Sequence, residues 1–242
     1  MGFFSFLSSC VSSICSGISN LVGSIGGALS SFAHGVGSVI AGVIDAVAPV
    51  AQSLAKFASA FLQGLGIIKP EEKPEDIGDR ALQAADKGIT IDKFENFDDY
   101  MKALRDYQLD PELSAKRSHT EKLVAGIGVG TVGIEKKYNA APGSLDGLWL
   151  LPMTNPAYFT PQRMQTLITA GRLGADVFSY LEKKLSDGEA RRFEISLEVG
   201  SDGRRMDENE LGQLYDALDT ARDNWSDIMR QLQAKANPAQ GT

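Results

Sequence analysis

Residues 2–47 read GFFSFLSSCVSSICSGISNLVGSIGGALSSFAHGVGSVIAGVIDAV and carry one charged residue, Asp45. Apolar residues recur through this stretch in steps of four, four and three. The steps form an eleven-residue repeat of about 3.67 residues per turn. This period predicts a helix over residues 3–47 and, because Pro49 interrupts it, a second helix over 51–66. The residues that form the apolar stripe, and that we expect to insert into a membrane, are Phe3, Leu7, Val11, Ile14, Ile18, Val22, Ile25, Leu29, Val36, Ile40, Ile44 and Val47.

The face opposite the stripe consists of small, uncharged polar residues. An amphipathic helix in water carries Lys, Glu and Arg on that face. An apolar face backed by Ser and Gly instead favours a bilayer, or a helix contact or lumen within one. The residues predicted to line such a lumen or contact are Ser5, Ser12, Ser16, Ser19, Gly23, Gly27, His34 and Asp45. A carboxylate is costly inside a membrane, so we expect Asp45 at a bilayer edge or pore mouth, where it favours cations.

The predicted helix is long enough to allow two arrangements in a membrane. At 1.5 Å per residue, residues 3–47 span roughly 65 Å, about twice the thickness of a hydrocarbon core. A hinge at Gly26-Gly27 turns the helix into a hairpin of two spans, whereas an unbroken helix lies along the interface. Gly35 and Gly37 are further hinge candidates. Small residues allow helices to pack closely in lipid, which suits the hairpin.

The rest of the chain has the composition of a water-exposed helical domain. Residues 69–76, KPEEKPED, predict an extended linker because of their two prolines and their charge. We therefore predict a membrane-active unit at 1–68, a soluble, mostly helical domain at 77–235 and a disordered tail at 236–242. The predicted fold class is mainly α, with at most a small β element.

Three helix starts in the second unit are marked by their own capping residues. Ser118 and Glu121 form a capping box that opens a helix towards Tyr138. Thr160-Pro161 places an N-cap before a proline in the first turn. Asp207 and Glu210 open a last helix. Its apolar residues, Leu211, Leu214, Leu218, Ala221, Trp225, Ile228 and Leu232, share one face and predict a helix packed on a core.

One segment alternates in the manner of a strand. Residues 193–199 read FEISLEV, and a turn follows at residues 200–203. Strict alternation of apolar and polar residues predicts a strand with one buried face. No equally clear partner strand exists in the sequence, so we expect a small hairpin at most.

The charge pattern excludes an electrostatic nucleic-acid binder. The net charge of −7 lies entirely beyond residue 68, because Asp45 and Lys56 cancel. Binding to nucleic acid depends on Lys and Arg that meet phosphates, and no basic cluster is present. Any affinity for membranes must come from apolar burial.

Motifs for catalysis, cofactors and metals are weak. Residues 128–133 match G-x-G-x-x-G, but no βαβ unit surrounds them, so they predict a buried, closely packed helix; the alternative is a second membrane-active element. The two histidines, His34 and His119, lie near neither Cys10 nor Cys15 at a ligand spacing. We predict no enzymatic activity, no cofactor and no metal site.

The N-terminus also bears on where the protein acts. A secretory signal opens with Lys or Arg, whereas the first basic residue here is Lys56. We expect synthesis in the cytoplasm and delivery, without a cleaved signal peptide, to a target cell membrane. The expected partners are the lipid bilayer and further copies of the chain; a chaperone, carrier or immunity protein is a candidate partner.

In composition, residues 1–68 resemble the N-termini of small pore-forming effectors that bacteria inject into competitors. They are also similar to phage ejection and pilot proteins that breach the host envelope. These resemblances imply membrane insertion, and our leading hypothesis is a secreted toxin or effector that oligomerises into an ion channel. The alternatives are a virion-associated ejection protein and a non-toxic, membrane-anchored scaffold.

Overall fold

The computed structural model describes residues 14–173, 176–200 and 202–236, with side chains between residues 17 and 235 of those ranges. In this part of the chain 72% of residues are helical, in thirteen helices, and no strand is present. The predicted mainly-α fold class is therefore confirmed. The predicted residues Phe3, Ser5, Leu7, Val11 and Ser12 and the predicted tail from residue 237 lie outside the described residues.

Thirteen helices follow one another along the described part of the chain. The first four are α1 (Ile14–Gly23), α2 (Ser30–His34), α3 (Val36–Ala46) and α4 (Ala48–Gly64). They are followed by α5 (Pro74–Asp86), α6 (Phe97–Asp106), α7 (Pro111–Lys116), α8 (His119–Lys137), α9 (Leu150–Thr154), α10 (Pro161–Thr169), α11 (Val177–Leu181), α12 (Asp187–Ser196) and α13 (Glu208–Ala236). Three 3₁₀ turns lie at Gly27–Leu29, Ile91–Lys93 and Asp146–Trp149.

Helix α8 lies at the centre of the core. It begins at the predicted capping box of Ser118 and Glu121, and every residue from Leu123 to Glu135 is buried. The G-x-G-x-x-G residues lie in this helix, which confirms the prediction of a buried, closely packed helix. Its glycines leave room for neighbouring side chains: a Cβ at Gly128 would lie 2.8 Å from Leu29, and one at Gly130 would lie 2.7 Å from Leu62.

Helix α5 packs on α8 with its backbone in direct contact. A Cβ on Gly126 of α8 would lie 1.8 Å from the carbonyl oxygen of Pro74, and one on Gly78 of α5 would lie 1.9 Å from that of Lys122. Neither position therefore has space for a methyl group. Two glycines, one from each helix, set the distance between these two helices.

A buried polar network fixes α7 against the same pair of helices. Asp79 of α5 accepts a hydrogen bond from Ser114 Oγ at 2.6 Å, and Lys122 Nζ lies 3.2 Å from the same carboxylate. Arg117 completes an ion pair with Asp79 at 3.8 Å. Burial opposes ionisation of Asp79, but the bonds from Ser114, Lys122 and Gln83 outweigh it and lower the pKa of the carboxyl.

The N-terminal stripe is divided into several helices rather than one. The chain leaves α1 at Gly23, turns through residues 24–29 and breaks again at Gly35 and Val47. The hinge predicted at Gly26-Gly27 coincides with the first break, and the hinge predicted at Gly35 with the second. Gly37 lies within α3. Pro49 stands in the first turn of α4, where its missing N–H has no helical partner to lose, so the break comes two residues earlier than predicted.

Residues 69–76 differ from the extended linker expected. Residues 69–73 form a turn, and α5 already begins at the buried Pro74. The side chain of Gln63 donates to the carbonyl oxygens of Pro70 and Glu72, and Glu72 pairs with Arg105 at 2.7 Å. The apolar side chains on both sides of this turn lie in one hydrophobic cluster, which extends from Ile18 to Leu232. The division into two units stays a prediction.

The strand predicted at residues 193–199 is wrong. Residues 193–196 belong to α12, which begins at a capping box formed by Ser186 and Glu189. Phe193 and Leu197 are spaced by one helical turn and are both buried, whereas Ile195 between them is 47% exposed. The apolar spacing therefore fits a helix face as well as a strand. A strand also needs a partner strand, and the described residues contain none. A single bridge between Val199 and Arg205 closes the predicted turn.

The other capping predictions are confirmed. Thr160 accepts from the backbone N–H of Arg163 at the start of α10. Asp207 and Glu210 exchange side-chain and backbone bonds at the start of α13. Along α13 the predicted face is buried from Leu214 to Leu232 and Leu211 is half-buried, so this helix packs on the core.

We predict that Gly126→Ala lowers the free energy of unfolding by about 3 kcal/mol or more, because the methyl group overlaps the backbone of α5. Gly212→Ala is the control, since Gly212 is exposed in α13 with nothing within 4 Å of the added Cβ. The control should raise the free energy of unfolding by about 0.5–1 kcal/mol. Urea unfolding measures both; equal effects of the two substitutions would contradict the contact between α5 and α8.

Candidate membrane-active segment

Residues 14–47, called the N-terminal segment below, contain most of the predicted insertion stripe. Six stripe residues are buried: Ile18, Val22, Ile25, Leu29, Ile40 and Ile44. Val36 and Val47 are half-buried, and Ile14 is described only as the first residue of α1. The protein's own helices therefore cover the described stripe. In this folded state no external carrier is required to shield these six side chains from water.

The residues predicted to line a lumen have unequal surroundings. Ser19 is buried and donates to the carbonyl oxygen of Ala33 at 2.8 Å, which ties α1 to α2. Gly23 is half-buried, whereas Gly27, His34 and Asp45 are exposed. Ser16 lies within α1. In this state the described Ser and Gly positions do not share one common surface.

Asp92 anchors the turn between α1 and α2. Its carboxylate accepts from the backbone N–H of Gly27 at 2.5 Å and from that of Ala28 at 3.3 Å. The neighbouring N–H of Ile91 donates to the carbonyl oxygen of Ile25 at 3.0 Å. A carboxylate at the start of a helical run meets N–H groups that have no partner within the helix. The turn of the N-terminal segment is thus bound to a loop 65 residues further along the chain.

A second anchor joins α2 to the loop before α9. Ser31 Oγ donates to Asp146 Oδ2 at 2.9 Å. The same loop is held to α8 by Glu135, which is 4% exposed and accepts from the backbone N–H of Leu145 at 3.2 Å. Burial raises the pKa of Glu135, and the nearby Asp146 adds to the rise while Lys136 and the backbone bonds oppose it. Burial also raises the pKa of Asp146, against the effect of the bond from Ser31.

A third set of contacts holds the end of α3. The Asp45 carboxylate accepts from Thr120 Oγ1 of α8 at 2.5 Å. Lys235, in the last turn of α13, donates to the carbonyl oxygen of Ala46 at 2.6 Å. A cation is favourable at the C-terminal end of a helix, where the last carbonyl groups lack partners within the helix. Asp45 therefore serves as an attachment to the rest of the protein in this state.

A helix that crosses a membrane must be about 20 residues long and mostly apolar. In the described ranges no single helix is both long and apolar enough to cross a bilayer. The pair Gly27–His34 and Val36–Ala46 meets the requirement together, with a bend of 51° between its two parts. Mostly buried core helices meet the same requirement, so composition does not separate the two roles.

The sequence draws attention to the N-terminal segment but not to the residues that hold it. Asp45 stands out because it is the only charge in an apolar stretch. Asp92, Thr120, Asp146 and Lys235 carried no signal, since a polar residue in a loop or at a helix end is ordinary in any protein. In the part of the chain that the structure covers, no group of three His, Cys, Asp or Glu side chains is placed to hold a metal ion.

No protein-family model, curated protein or solved structure matches this chain.

We predict that Glu135→Gln gives a stability difference that depends on pH. A raised pKa in the folded state means that Glu135 contributes stability below its ordinary pKa of 4.5 and loses it as pH rises through the raised pKa. Gln keeps an acceptor for Leu145 and has no charge to bury. The free energy of unfolding of the variant minus that of the wild type should therefore be more positive at neutral pH than below pH 4.5.

Urea unfolding at both pH values provides the measurement. The opposite pH dependence of Asp79, whose pKa is lowered, cancels because both proteins carry it. A difference that is the same at both pH values would show that burial of Glu135 does not disfavour its charged form.

Proposed function

We propose that the protein inserts its N-terminal segment into a membrane and permeabilises that membrane to ions. The folded state described above is then the storage form. The observation that carries the proposal is the contrast between the segment and its attachments. Residues 14–47 hold one charge, while contacts from the rest of the protein hold the segment at its turn, at α2 and at the end of α3.

The side chains of the segment lose little on moving from this core to a bilayer. Lipid tails are as apolar as Leu, so a buried stripe exchanges one apolar environment for another. Within each helix the backbone groups are already paired, as a membrane requires. The polar attachments are what must break, together with contacts such as that of Leu29 in the space beside Gly128.

The inserted form has a natural length. Residues 27–46 make 20 residues, which span about 30 Å as a helix and match the hydrocarbon core. Straightening at Gly35 gives one span, which is the second half of the hairpin predicted from the sequence. Association through Ser and Gly faces then forms the lumen, with Asp45 at its mouth. The remaining helices carry the surface on which copies of the chain, or a carrier or immunity protein, act.

The proposal is tested by locking the segment in place. Ser31 and Gly143 are suited to a disulfide because a Cβ on Gly143 would lie 3.6 Å from that of Ser31, and disulfides span roughly 3.5–4.5 Å between these atoms. The variant is Ser31→Cys with Gly143→Cys, in a background of Cys10→Ser and Cys15→Ser. Gly143 has a φ of +78°, so the reduced form of the same variant is the reference.

A matched control crosslinks two elements outside the segment. A Cβ on Gly147 would lie 3.4 Å from that of Val177, so Gly147→Cys with Val177→Cys carries a disulfide that leaves the segment free. We expect ion-loaded vesicles to leak with the reduced locked variant and with both forms of the control, but not with the oxidised locked variant.

Two results would contradict the proposal. Equal leakage from the oxidised and reduced locked variant would show that the segment need not leave the core. No leakage or planar-bilayer current from the wild type at micromolar concentration would show that the protein does not permeabilise membranes, and the segment would then serve only as core.

A further inference from the structure

The turn of the N-terminal segment and the loop that carries Asp92 fit closely. A Cβ on Gly26 would lie 2.6 Å from Cγ2 of Ile91 and 2.7 Å from Oδ2 of Asp92. Only a residue without a side chain allows this approach. Three backbone groups of the turn, from Ile25, Gly27 and Ala28, are bonded to two consecutive residues of the loop. The contact is therefore specific and involves the whole turn.

The loop is attached to the other helices as well as to the segment. Ile91 is buried in the core, and the ring of Phe94 packs on that of Tyr100 in α6 at 5.4 Å. Asn96 accepts from the N–H of Asp99 and so caps α6 directly after the loop. The residues that flank Asp92 are thus tied to the core and to α6.

The turn has few other polar attachments. Ser24 Oγ donates to the carbonyl oxygen of Leu21 in α1, and the next side-chain hydrogen bond along the segment is that of Ser31. Gly27 and Ala28 begin the helical run that continues through α2, so their N–H groups have no partner within it. If Asp92 releases them, these N–H groups need another acceptor, such as water.

We propose that Asp92 is the clasp of an autoinhibitory contact, whose opening lets the N-terminal segment separate from the core as one unit. This inference rests on the proposed function, because release of the segment matters only if the segment then inserts into a membrane. The unit is α1 to α3, because Ser19 bonds α1 to α2 and Gly35 alone separates α2 from α3. Without the clasp the unit is held by the bonds of Ser31, Asp45 and Ala46, by the backbone bond between Ile91 and Ile25, and by its apolar side chains.

Hydrogen exchange of the full chain in water, without any membrane, tests the clasp. The variants are Asp92→Ala and Asp92→Asn, and the control is Asp216→Ala on the exposed face of α13. Loss of two bonds to a charged acceptor should speed exchange throughout residues 14–46 by roughly tenfold or more in Asp92→Ala. The effect of Asp92→Asn should be smaller, because its amide oxygen still accepts.

The interior amides of α5 and α8 should exchange at their wild-type rates in both variants, as should all amides of the control. An increase confined to residues 27 and 28 would overturn the inference, because the unit then does not open together. An equal increase in α5 and α8 would also overturn it, because the variant then unfolds the whole protein.

Vesicle leakage separates this inference from the proposed function. If both hold, Asp92→Ala releases vesicle contents faster than the wild type and the Asp216→Ala control does not. Faster exchange of residues 14–46 with no leakage from any form supports the clasp and contradicts the proposed function. Faster exchange with leakage at the wild-type rate overturns the clasp as the contact that limits release.

Discussion

The close contact between α5 and α8 is the constraint on which the rest of the structure depends. Gly78 and Gly126 bring the two backbones together so that no Cβ fits at either position. This contact places α8 in the middle of the protein. The other glycines of α8 each face a different neighbouring element. Gly128 then receives Leu29 of the N-terminal segment, and Gly130 receives Leu62 of α4. A central helix with small residues on several sides can thus bury apolar side chains from segments far away in the sequence.

The local features of the chain were predictable because their causes are local. Capping residues such as Ser118 and Glu121 marked the helix starts, since the bonds they make span only three residues. Glycines in the N-terminal stretch marked the breaks near residue 26 and at residue 35. The strand prediction at 193–199 is wrong because the spacing of its apolar residues fits both a strand and a helix. The capping box at Ser186 is the feature that favours a helix.

The contacts that attach the N-terminal segment were not predictable from the sequence. Asp92 and Gly27 are separated by 65 residues, and Thr120 and Asp45 by 75. No periodicity or composition links such pairs, because they arise from how the helices pack around α8. The stripe itself is ambiguous for a related reason: a periodic apolar face buries equally well against protein or lipid. Its length and lack of charge favour the membrane hypothesis, and under the proposed function its burial requires that it be released from the core before insertion.

The proposed function and the fold thus depend on two sets of contacts with opposite demands. Apolar packing of the stripe against the glycines of α8 must be strong enough to keep the stripe out of water. The polar attachments at the turn, at α2 and at the end of α3 must be few enough to open together. The N-terminal segment meets both demands because its polar contacts lie at the ends of its helices. Its three helices themselves carry one charged residue, Asp45.

The location of a spin label at Val36 tests this account most directly. Val36 is a half-buried stripe residue, and Val36→Cys, with Cys10 and Cys15 replaced by Ser, gives one labelling site. On addition of vesicles, the account predicts that the label becomes accessible to oxygen and inaccessible to a water-soluble nickel complex, while a label at Thr220 on α13 stays accessible to the complex. A label at Val36 that gives the same accessibilities with and without vesicles would contradict it.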